Sequence, residues 1–394
     1  MVTPVGTAGP RRALIVGASV TIACSLPVFF TGAMAVQISA ELGFGAVGIG
    51  GAVATFFATM ALVSVHLGRV VDRLGATLSL RIAAIGGGIA ALGIGLLARN
   101  WASLVGWLVL SGLTAALAQP AANRLLVNRI RQARLGTAFG MKQSAPPTAS
   151  MLAGLAVPAV ALTVGWRWAY ILAAVWATMA AIAVGARPTD AATRAPRTSG
   201  GRPEPLKDRR TLAVMVAGFG MAFIASSATL AFYVEAAVSV GMTQQLAGIV
   251  FAAGSLTAVI ARLVLGAASD RYAFGPLRVS AVLLLGGAVG LVLLATGTPG
   301  LMGIGAVIAL TGTWGFPGLF WFALVSAYAE APGRATGAMA PAAIGGVVGP
   351  VGFGAVATNV GYGIAWTIAA LLALAAAVAL LAASTRLGET LADS

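Results

Sequence analysis

Residues 68–77, Gly-Arg-Val-Val-Asp-Arg-Leu-Gly-Ala-Thr, form a polar turn between two long apolar stretches. This segment, which we call the first turn, decides the fold. A shorter copy, Gly-Ala-Ala-Ser-Asp-Arg, stands at 266–271, which is 198 residues later in a chain of 394 (the second turn). Gly68, Asp72 and Arg73 therefore recur as one group at almost half the chain length. Such a repeat indicates two similar halves. Further pairs at the same shift, without a gap, are Gly43 and Gly241, Gly50 and Gly248, Gly165 and Gly363, and Trp168 and Trp366.

Long apolar stretches flank both turns and fill most of the chain. A bilayer core about 30 Å thick requires roughly 20 apolar residues in a helix. Twelve stretches meet this requirement, so we predict an all-α membrane protein with twelve transmembrane helices in two pseudo-symmetric six-helix halves. The predicted spans are 13–36, 46–67, 78–98, 102–123, 136–163, 166–186, 211–238, 246–266, 278–296, 301–328, 335–358 and 362–383.

The composition excludes several classes of protein. Hydrophobic residues make up 59% and charged residues 9% of the chain, against about 45–50% and about 25% in soluble domains. The mean hydropathy is +0.96. An ordinary soluble enzyme, a disordered chain and a nucleic-acid-binding protein are thereby excluded. With one cysteine, Cys24, and one histidine, His66, the sequence also predicts no metal site and no cofactor, and a membrane enzyme is disfavoured.

The basic residues predict the orientation of the spans. Twenty of the 24 lysines and arginines fall on the side of the two termini, whereas only Arg99 and Arg167 fall on the other. Because cytoplasmic loops carry the excess of positive charge, we expect both termini in the cytoplasm. Residues 187–210 are polar and rich in Pro, Gly and Arg, which predicts a cytoplasmic linker between an N-terminal half, 1–186, and a C-terminal half, 211–394.

With its glycines and its Asp-Arg pair, the first turn resembles the signature of the major facilitator superfamily of secondary transporters. That signature is Gly-x-x-x-Asp-Arg-x-Gly followed by Arg or Lys, and Gly68, Asp72, Arg73 and Gly75 match it. The basic residues that usually follow are absent, since Ala76 and Thr77 stand there. The second turn stands where the family places its second copy. The resemblance covers the whole chain and implies a substrate site between the halves near the bilayer midplane.

The turns are predicted to act in gating. Asp72 lies at a membrane interface, where a carboxylate can accept hydrogen bonds from a helix N-terminus or pair with an arginine. A contact that exists in only one of two packings biases one state against the other. The alternative is that these charges are simply solvated. The predicted gating residues are Gly68, Asp72, Arg73, Gly75, Arg262, Asp270 and Arg271.

Polar groups at membrane depth are the candidates for contact with a substrate. Lys142 is the only lysine in a span; it either snorkels to the surface or faces the cavity, where it favours an anionic or carbonyl-bearing substrate. Gln119 and Asn123 are four residues apart and share a helix face. The resemblance places the fourth span at the cavity, and a polar contact between helices is the alternative. The predicted substrate-binding residues are Lys142, Gln143, Gln119, Asn123, Tyr233 and Trp321.

Two further ionisable residues lie within spans. Arg262 is predicted to pair near the cytoplasmic gate with Asp270 or Glu330, with substrate contact as the alternative. Glu235, towards the outer end of the seventh span, is the candidate for carrying a coupling proton. The first span carries no carboxylate, so proton-coupled export of cationic drugs is disfavoured.

The sequence thus predicts a monomeric secondary transporter, not an enzyme, in a bacterial cytoplasmic membrane. Its substrate is a small organic solute, with an anion favoured by Lys142, and its mechanism is alternating access. The alternative is an exporter of drugs or metabolites coupled to protons. Its partners are the solute and the lipid bilayer, with a proton as the candidate coupling ion.

Overall fold

The structure is a computed structural model that describes residues 10–127, 135–184, 208–272, 274–330 and 332–392. These residues form sixteen α-helices, one π-helical segment, Val157–Ala161, and one 3-10 segment, Ala340–Ile344. The helices are α1 Pro10–Ala33, α2 Ala35–Leu42, α3 Ala46–Leu74, α4 Ala76–Leu97, α5 Trp101–Val127, α6 Leu135–Gln143, α7 Ala145–Ala156, α8 Trp166–Val184, α9 Arg209–Ser239, α10 Gln244–Ser269, α11 Pro276–Ala295, α12 Pro299–Gly315, α13 Pro317–Ala327, α14 Pro332–Ala338, α15 Gly345–Val360 and α16 Tyr362–Ala392.

The predicted all-α membrane fold is confirmed. Within the described residues, eleven helical stretches are long and apolar enough to cross a bilayer. The remaining predicted span, 136–163, is helical but divided into α6, α7 and the π segment. Pro146, Pro147 and Pro158 lie near these divisions. They interrupt the helix because proline has no N–H to donate to the preceding turn. Helical hydrogen bonding nevertheless continues from α6 into α7, because the Ser144 amide donates to the Gly140 carbonyl at 3.0 Å.

The packing of the helices repeats the two-fold relation of the sequence. α4 packs against α8 in the N-terminal half, and the equivalent helices α11 and α16 pack together in the C-terminal half. Between the halves, α3 packs against α15, and its counterpart α10 packs against α6 and α7. α1 and its counterpart α9 also meet. The halves therefore contact one another at three places. Two of these contacts correspond to each other in the repeat, and the third joins α1 to its own counterpart, α9.

The outer surface of the bundle is apolar, as contact with lipid requires. On α4, large apolar side chains are exposed at helical spacing, whereas Ala83, Ala84 and Ala91 are buried. Small residues at helix contacts allow close packing in membranes, where lipid is as apolar as leucine. The exposed large apolar side chains of α4 are Leu78, Ile82, Ile85, Ile89, Leu92, Leu96 and Leu97.

Both termini of the described chain lie at one face of the bundle, which we call the terminal face; the opposite one is the distal face. α1 begins at the terminal face and α16 ends there. The two turns also lie at this face, at the ends of α3 and α10. The predicted linker, 187–210, and the predicted cytoplasmic residues Arg129, Arg131 and Arg134 fall largely outside the described residues, so the domain boundaries stay a prediction.

Candidate functional site

A cavity lies between the two halves, at the middle depth of the bundle. Its volume is about 140 Å³. Helices of both halves contribute to its wall, as the midplane site expected from the sequence requires. The lining residues are Ser25, Phe29, Phe56, Phe57, Met60, Ala115, Gln119, Gln143, Pro146, Phe219, Phe223, Ser226, Arg262, Thr313, Trp314, Phe316, Pro317 and Trp321.

Four of the polar or amphipathic lining residues lie at a similar depth. Gln119, Gln143, Arg262 and Trp321 are each six to eight residues from the end of their helix at the terminal face. At about 1.5 Å per residue this is about 9–12 Å from that face. The side chains of Gln119, Gln143, Arg262 and Trp321, from four helices, thus surround the terminal side of the cavity, and we call them the polar ring.

Arg262 is the charged residue of this ring, and it is 3% exposed. Its Nε donates to the Trp314 carbonyl, in the last turn of α12 before the helix breaks at Phe316. Its Nη1 has no hydrogen-bond partner among the described residues. The stem of the side chain runs beside Gly318, where an added Cβ would lie 3.8 Å from the Arg262 Cγ. Arg262 is therefore positioned by backbone atoms and leaves part of its guanidinium unused.

This placement differs from the ion pair predicted for Arg262. Among the described residues its hydrogen bond goes to Trp314, whereas Asp270 binds the start of α6. Arg262 is eight residues before Asp270, which set the expectation of proximity along α10. The side chains diverge because Asp270 follows the end of the helix and turns towards the other half.

Aromatic side chains form the rest of the cavity wall and join the two halves. Phe57 of α3 meets Phe223 of α9 with ring centroids 5.3 Å apart and rings at 83°. Phe219 continues the cluster, with its centroid 5.5 Å from that of Trp321. On the other side Phe29 of α1 lies 5.7 Å from Trp314 of α12. Edge and tilted arrangements of this kind leave ring faces available to a flat ligand.

The second turn connects the halves at the terminal face. Asp270 accepts hydrogen bonds from the amides of Gly136 at 2.7 Å and Thr137 at 2.8 Å, and from the Thr137 hydroxyl at 2.5 Å. The carboxylate thus caps the N-terminus of α6, where helix amides are otherwise unpaired. Asp270 is bound to the opposite half by three hydrogen bonds.

The first turn has a different set of contacts. Asp72 pairs with Arg124 of its own half at 2.7 Å, and its side chain is 74% exposed. Arg73 and Arg271 are exposed in both turns. Gly75 has φ +83° between α3 and α4, a conformation that glycine adopts without strain.

At the distal face the halves are closed. The Gln37 side-chain amide donates to the Gln244 carbonyl oxygen at 2.7 Å, between α2 and α10. The backbones of α1 and α9 approach so closely that a Cβ added to Gly32 would lie 2.4 Å from the Leu230 carbonyl oxygen. The cavity is therefore separated from the distal face.

A family model described as the Major Facilitator Superfamily matches residues 13–343. The chain belongs to this superfamily. It is a multi-pass secondary membrane transporter, and the resemblance carried by the first turn is confirmed. No curated protein matches the chain significantly.

The superfamily architecture brings only some of the predicted substrate residues to the cavity. Gln119, Gln143 and Trp321 line it. Lys142 is half-buried beside Gln143 but is not a lining residue, and Asn123 is exposed nearer the terminal face. Tyr233 is fully buried and stacks on Phe251 with centroids 6.1 Å apart, towards the distal face.

Glu235 lies apart from the cavity, in the distal part of α9. Its carboxylate interacts with the Tyr362 hydroxyl, and in the described part of the chain its Oε2 has no hydrogen-bond partner. Its proposed role in coupling is therefore not one of direct contact with a solute in the cavity.

Sequence reasoning found Trp321 but missed the phenylalanines of the aromatic wall, because Phe56, Phe57, Phe219 and Phe223 are apolar residues in apolar spans. Their spacing gives the only usable signal: Phe219 and Phe223 are four residues apart and share a helix face. Which face a helix turns to the cavity is not encoded by composition alone. No metal-binding group of three His, Cys, Asp or Glu side chains is found in the part of the chain that the structure describes.

Proposed function

We propose that this superfamily member moves a small organic solute across a bacterial cytoplasmic membrane by alternating access, as a monomer. The observation that carries the proposal is the cavity between the halves, lined by amides, aromatic rings and one arginine. Binding sites of this kind combine an apolar wall with a few polar groups that fix orientation.

Closure at the distal face supports alternating access. The Gln37–Gln244 hydrogen bond and the α1–α9 contact join helices of different halves. They must separate for a solute to enter or leave on that side, so they serve as the distal gate. If the terminal face is cytoplasmic, as the arginine distribution favours, this conformation faces inwards.

We infer that Arg262, rather than Lys142, pairs with the negative charge expected of the solute. Arg262 lines the cavity, whereas Lys142 is not among the lining residues. No carboxylate is among the lining residues, which argues against a cationic substrate.

Proton-coupled export is the second candidate, and Glu235 is the observation that favours it. A half-buried carboxyl with an unpartnered oxygen, beside a tyrosine hydroxyl, is suited to bind and release a proton. It lies on the distal side, where a proton would enter from outside the cell.

Transport across liposomes tests the proposal. The only cysteine, Cys24, is replaced by serine, and Gln37→Cys and Gln244→Cys are introduced together. Proteoliposomes are incubated with a mixture of small anionic, neutral and cationic solutes, with and without a pH gradient, and their contents are measured by mass spectrometry.

We expect one solute class to enter with the free thiols and to be excluded after a short bifunctional thiol reagent joins the two positions. Each single-cysteine variant, treated with the same reagent, is the control and retains transport. If no solute crosses faster than in protein-free liposomes, or if the cross-linked protein transports as well, alternating access through this cavity is wrong.

A further inference from the structure

The charges around the cavity are unbalanced. Among its lining residues Arg262 carries a positive charge and none carries a negative charge. Arg262 is 3% exposed, and within the described part of the chain it donates one hydrogen bond, to a backbone carbonyl. A buried cation without a counter-charge is costly, because its hydration is lost and not replaced. One anionic group in the cavity would supply the missing partner.

Geometry restricts the kind of anion. Guanidinium presents several N–H groups in a plane, and it binds a planar carboxylate best through two parallel hydrogen bonds. Nη1 has no hydrogen-bond partner among the residues that the structure describes. The amide side chains of Gln119 and Gln143 lie at the same depth in the polar ring and can donate to a carboxylate oxygen. With one cation and no second positive charge in the wall, the cavity neutralises a single negative charge.

The rest of the wall suits a flat apolar body. Eight of the lining residues are aromatic, and they come from both halves. Phe57 and Phe223 meet edge to face across the boundary between the halves. Ring–ring contacts contribute beyond the burial of area alone.

Size limits the body to about one ring. The cavity of about 140 Å³ is smaller than the roughly 300–1,000 Å³ of sites that hold drug-sized ligands. A multi-ring drug does not fit this conformation, whereas a ring bearing one short acidic group does.

We propose that the cavity binds an aromatic monocarboxylate, with its carboxylate on Arg262 at the polar ring and its ring between the phenylalanine and tryptophan side chains. The inference deepens the proposed function and rests on it for the step of transport, but binding itself is independent of transport.

Binding to the purified full-length protein in detergent tests the substrate class. The probe is benzoate, measured by calorimetric titration, because benzoic acid crosses bilayers unaided and would obscure a transport assay. Benzamide has the same shape without the charge, cyclohexanecarboxylate has the charge without the aromatic ring, and benzylamine has the opposite charge.

We expect benzoate to bind at least tenfold more tightly than benzamide, since a charge-assisted hydrogen bond contributes more than a tenfold change in affinity. Cyclohexanecarboxylate should bind several-fold more weakly than benzoate, and benzylamine should not bind. If benzoate fails to bind, or if benzamide or benzylamine binds as tightly, the proposal is overturned.

Variants locate the carboxylate. Arg262→Met should weaken benzoate binding at least tenfold, and Arg262→Lys should retain part of it. The matched control is Arg278→Gln, which removes an exposed arginine at the terminal face of the same half and should leave binding unchanged. If Lys142→Met abolishes binding and Arg262→Met does not, Lys142 binds the anion and the proposal is wrong.

A measurement on the unaltered protein covers the case in which Arg262→Met does not fold. Benzoate, but not benzamide, should slow the modification of Arg262 by butanedione, followed by peptide mass spectrometry. Equal modification rates with both compounds contradict the proposal. If only neutral or cationic solutes cross in the liposome experiment, the proposed substrate class is wrong but the proposed transport is supported. If benzoate binds but no solute crosses, the proposed binding site is supported but the proposed transport is wrong.

Discussion

The two copies of the repeated turn have the same Asp-Arg pair but different contacts. In the second turn, Asp270 crosses to the other half and accepts three hydrogen bonds from Gly136 and Thr137. In the first turn, Asp72 stays within its own half, pairs with Arg124 and is 74% exposed. A repeated motif is thus not a repeated contact: among the described residues, the carboxylate of Asp270 binds the opposite half, whereas that of Asp72 binds its own half.

Residues outside the motif explain this difference. Shifted by 198 residues, Gly136 and Thr137 correspond to Arg334 and Ala335 of α14. A Cβ at Gly136 would lie 2.6 Å from the Gly266 carbonyl oxygen, so a side chain at that position prevents the close approach. Arg334 introduces such a side chain, and Ala335 lacks the threonine hydroxyl.

The local partner differs as well. Arg124, which pairs with Asp72, corresponds to Phe322 in the C-terminal half. The C-terminal half therefore has no arginine at the position equivalent to Arg124, and Asp270 accepts hydrogen bonds from the amides of α6 instead. We infer that the second turn fastens the halves at α6 and α10, while the first turn is the one that changes partner during transport.

The largest effect should follow from removing the Asp270 carboxylate. Asp270→Ala leaves two helix amides and a hydroxyl without an acceptor, so we expect a loss of stability of about 2–4 kcal/mol and strongly reduced transport. The measurement is thermal unfolding in detergent.

Asp72→Ala is the matched control for stability, since an exposed ion pair contributes only about 0–1 kcal/mol. Asp72→Asn should nevertheless slow transport, because we propose that the first turn acts in gating. Equal destabilisation by the Asp270 and Asp72 variants would contradict the difference between the turns.

A smaller effect is expected from matched glycine substitutions. A Cβ added to Gly266 would lie 2.7 Å from the Gly136 carbonyl oxygen and 3.0 Å from the Gly140 Cα, whereas a Cβ added to Gly68 meets nothing within 4 Å. Gly266→Ala should therefore cost about 1–3 kcal/mol.

Gly68→Ala should be neutral or stabilise α3 by about 0.5–1 kcal/mol, because alanine favours a helix. Thermal unfolding of both variants under the same conditions measures the difference. A stable Gly266→Ala protein with normal transport would mean that α6 and α10 separate easily.

Most of the fold could be predicted from the sequence, because membrane spans are read from length and hydropathy and the repeat from the two Asp-Arg turns. Gln119, Gln143 and Trp321 were assigned to the cavity wall, which they line. The prediction for Arg262 gave its depth but not its direction, since position along a helix is read from sequence and rotation towards a partner is set by packing.

Glu41 illustrates the same limit outside the spans. It falls between two of the predicted spans, 13–36 and 46–67, yet it lies in α2 and binds Arg167 at 2.9 Å and Trp166 at 2.6 Å. Burial opposes its ionisation, but these hydrogen bonds and the charge of Arg167 outweigh burial and lower the pKa of Glu41 below its usual value. Contacts between residues 126 apart are not encoded by local pattern.

Distance measurements across the two turns test the inferred division of roles most directly. In a Cys24→Ser background, spin labels at Arg73 and Gly337 report on the first turn and α14, and labels at Arg271 and Met141 report on the second turn and α6; all four positions are exposed. Distances are compared by electron–electron double resonance in the unmodified conformation and after locking the distal gate closed through Gln37→Cys and Gln244→Cys.

For the Arg73–Gly337 pair we expect two distance populations, and locking the distal gate should retain one of them. For the Arg271–Met141 pair we expect a single distance distribution that locking does not change. If the Arg271–Met141 distance changes as much as the Arg73–Gly337 distance, the second turn does not fasten the halves and the two copies act alike.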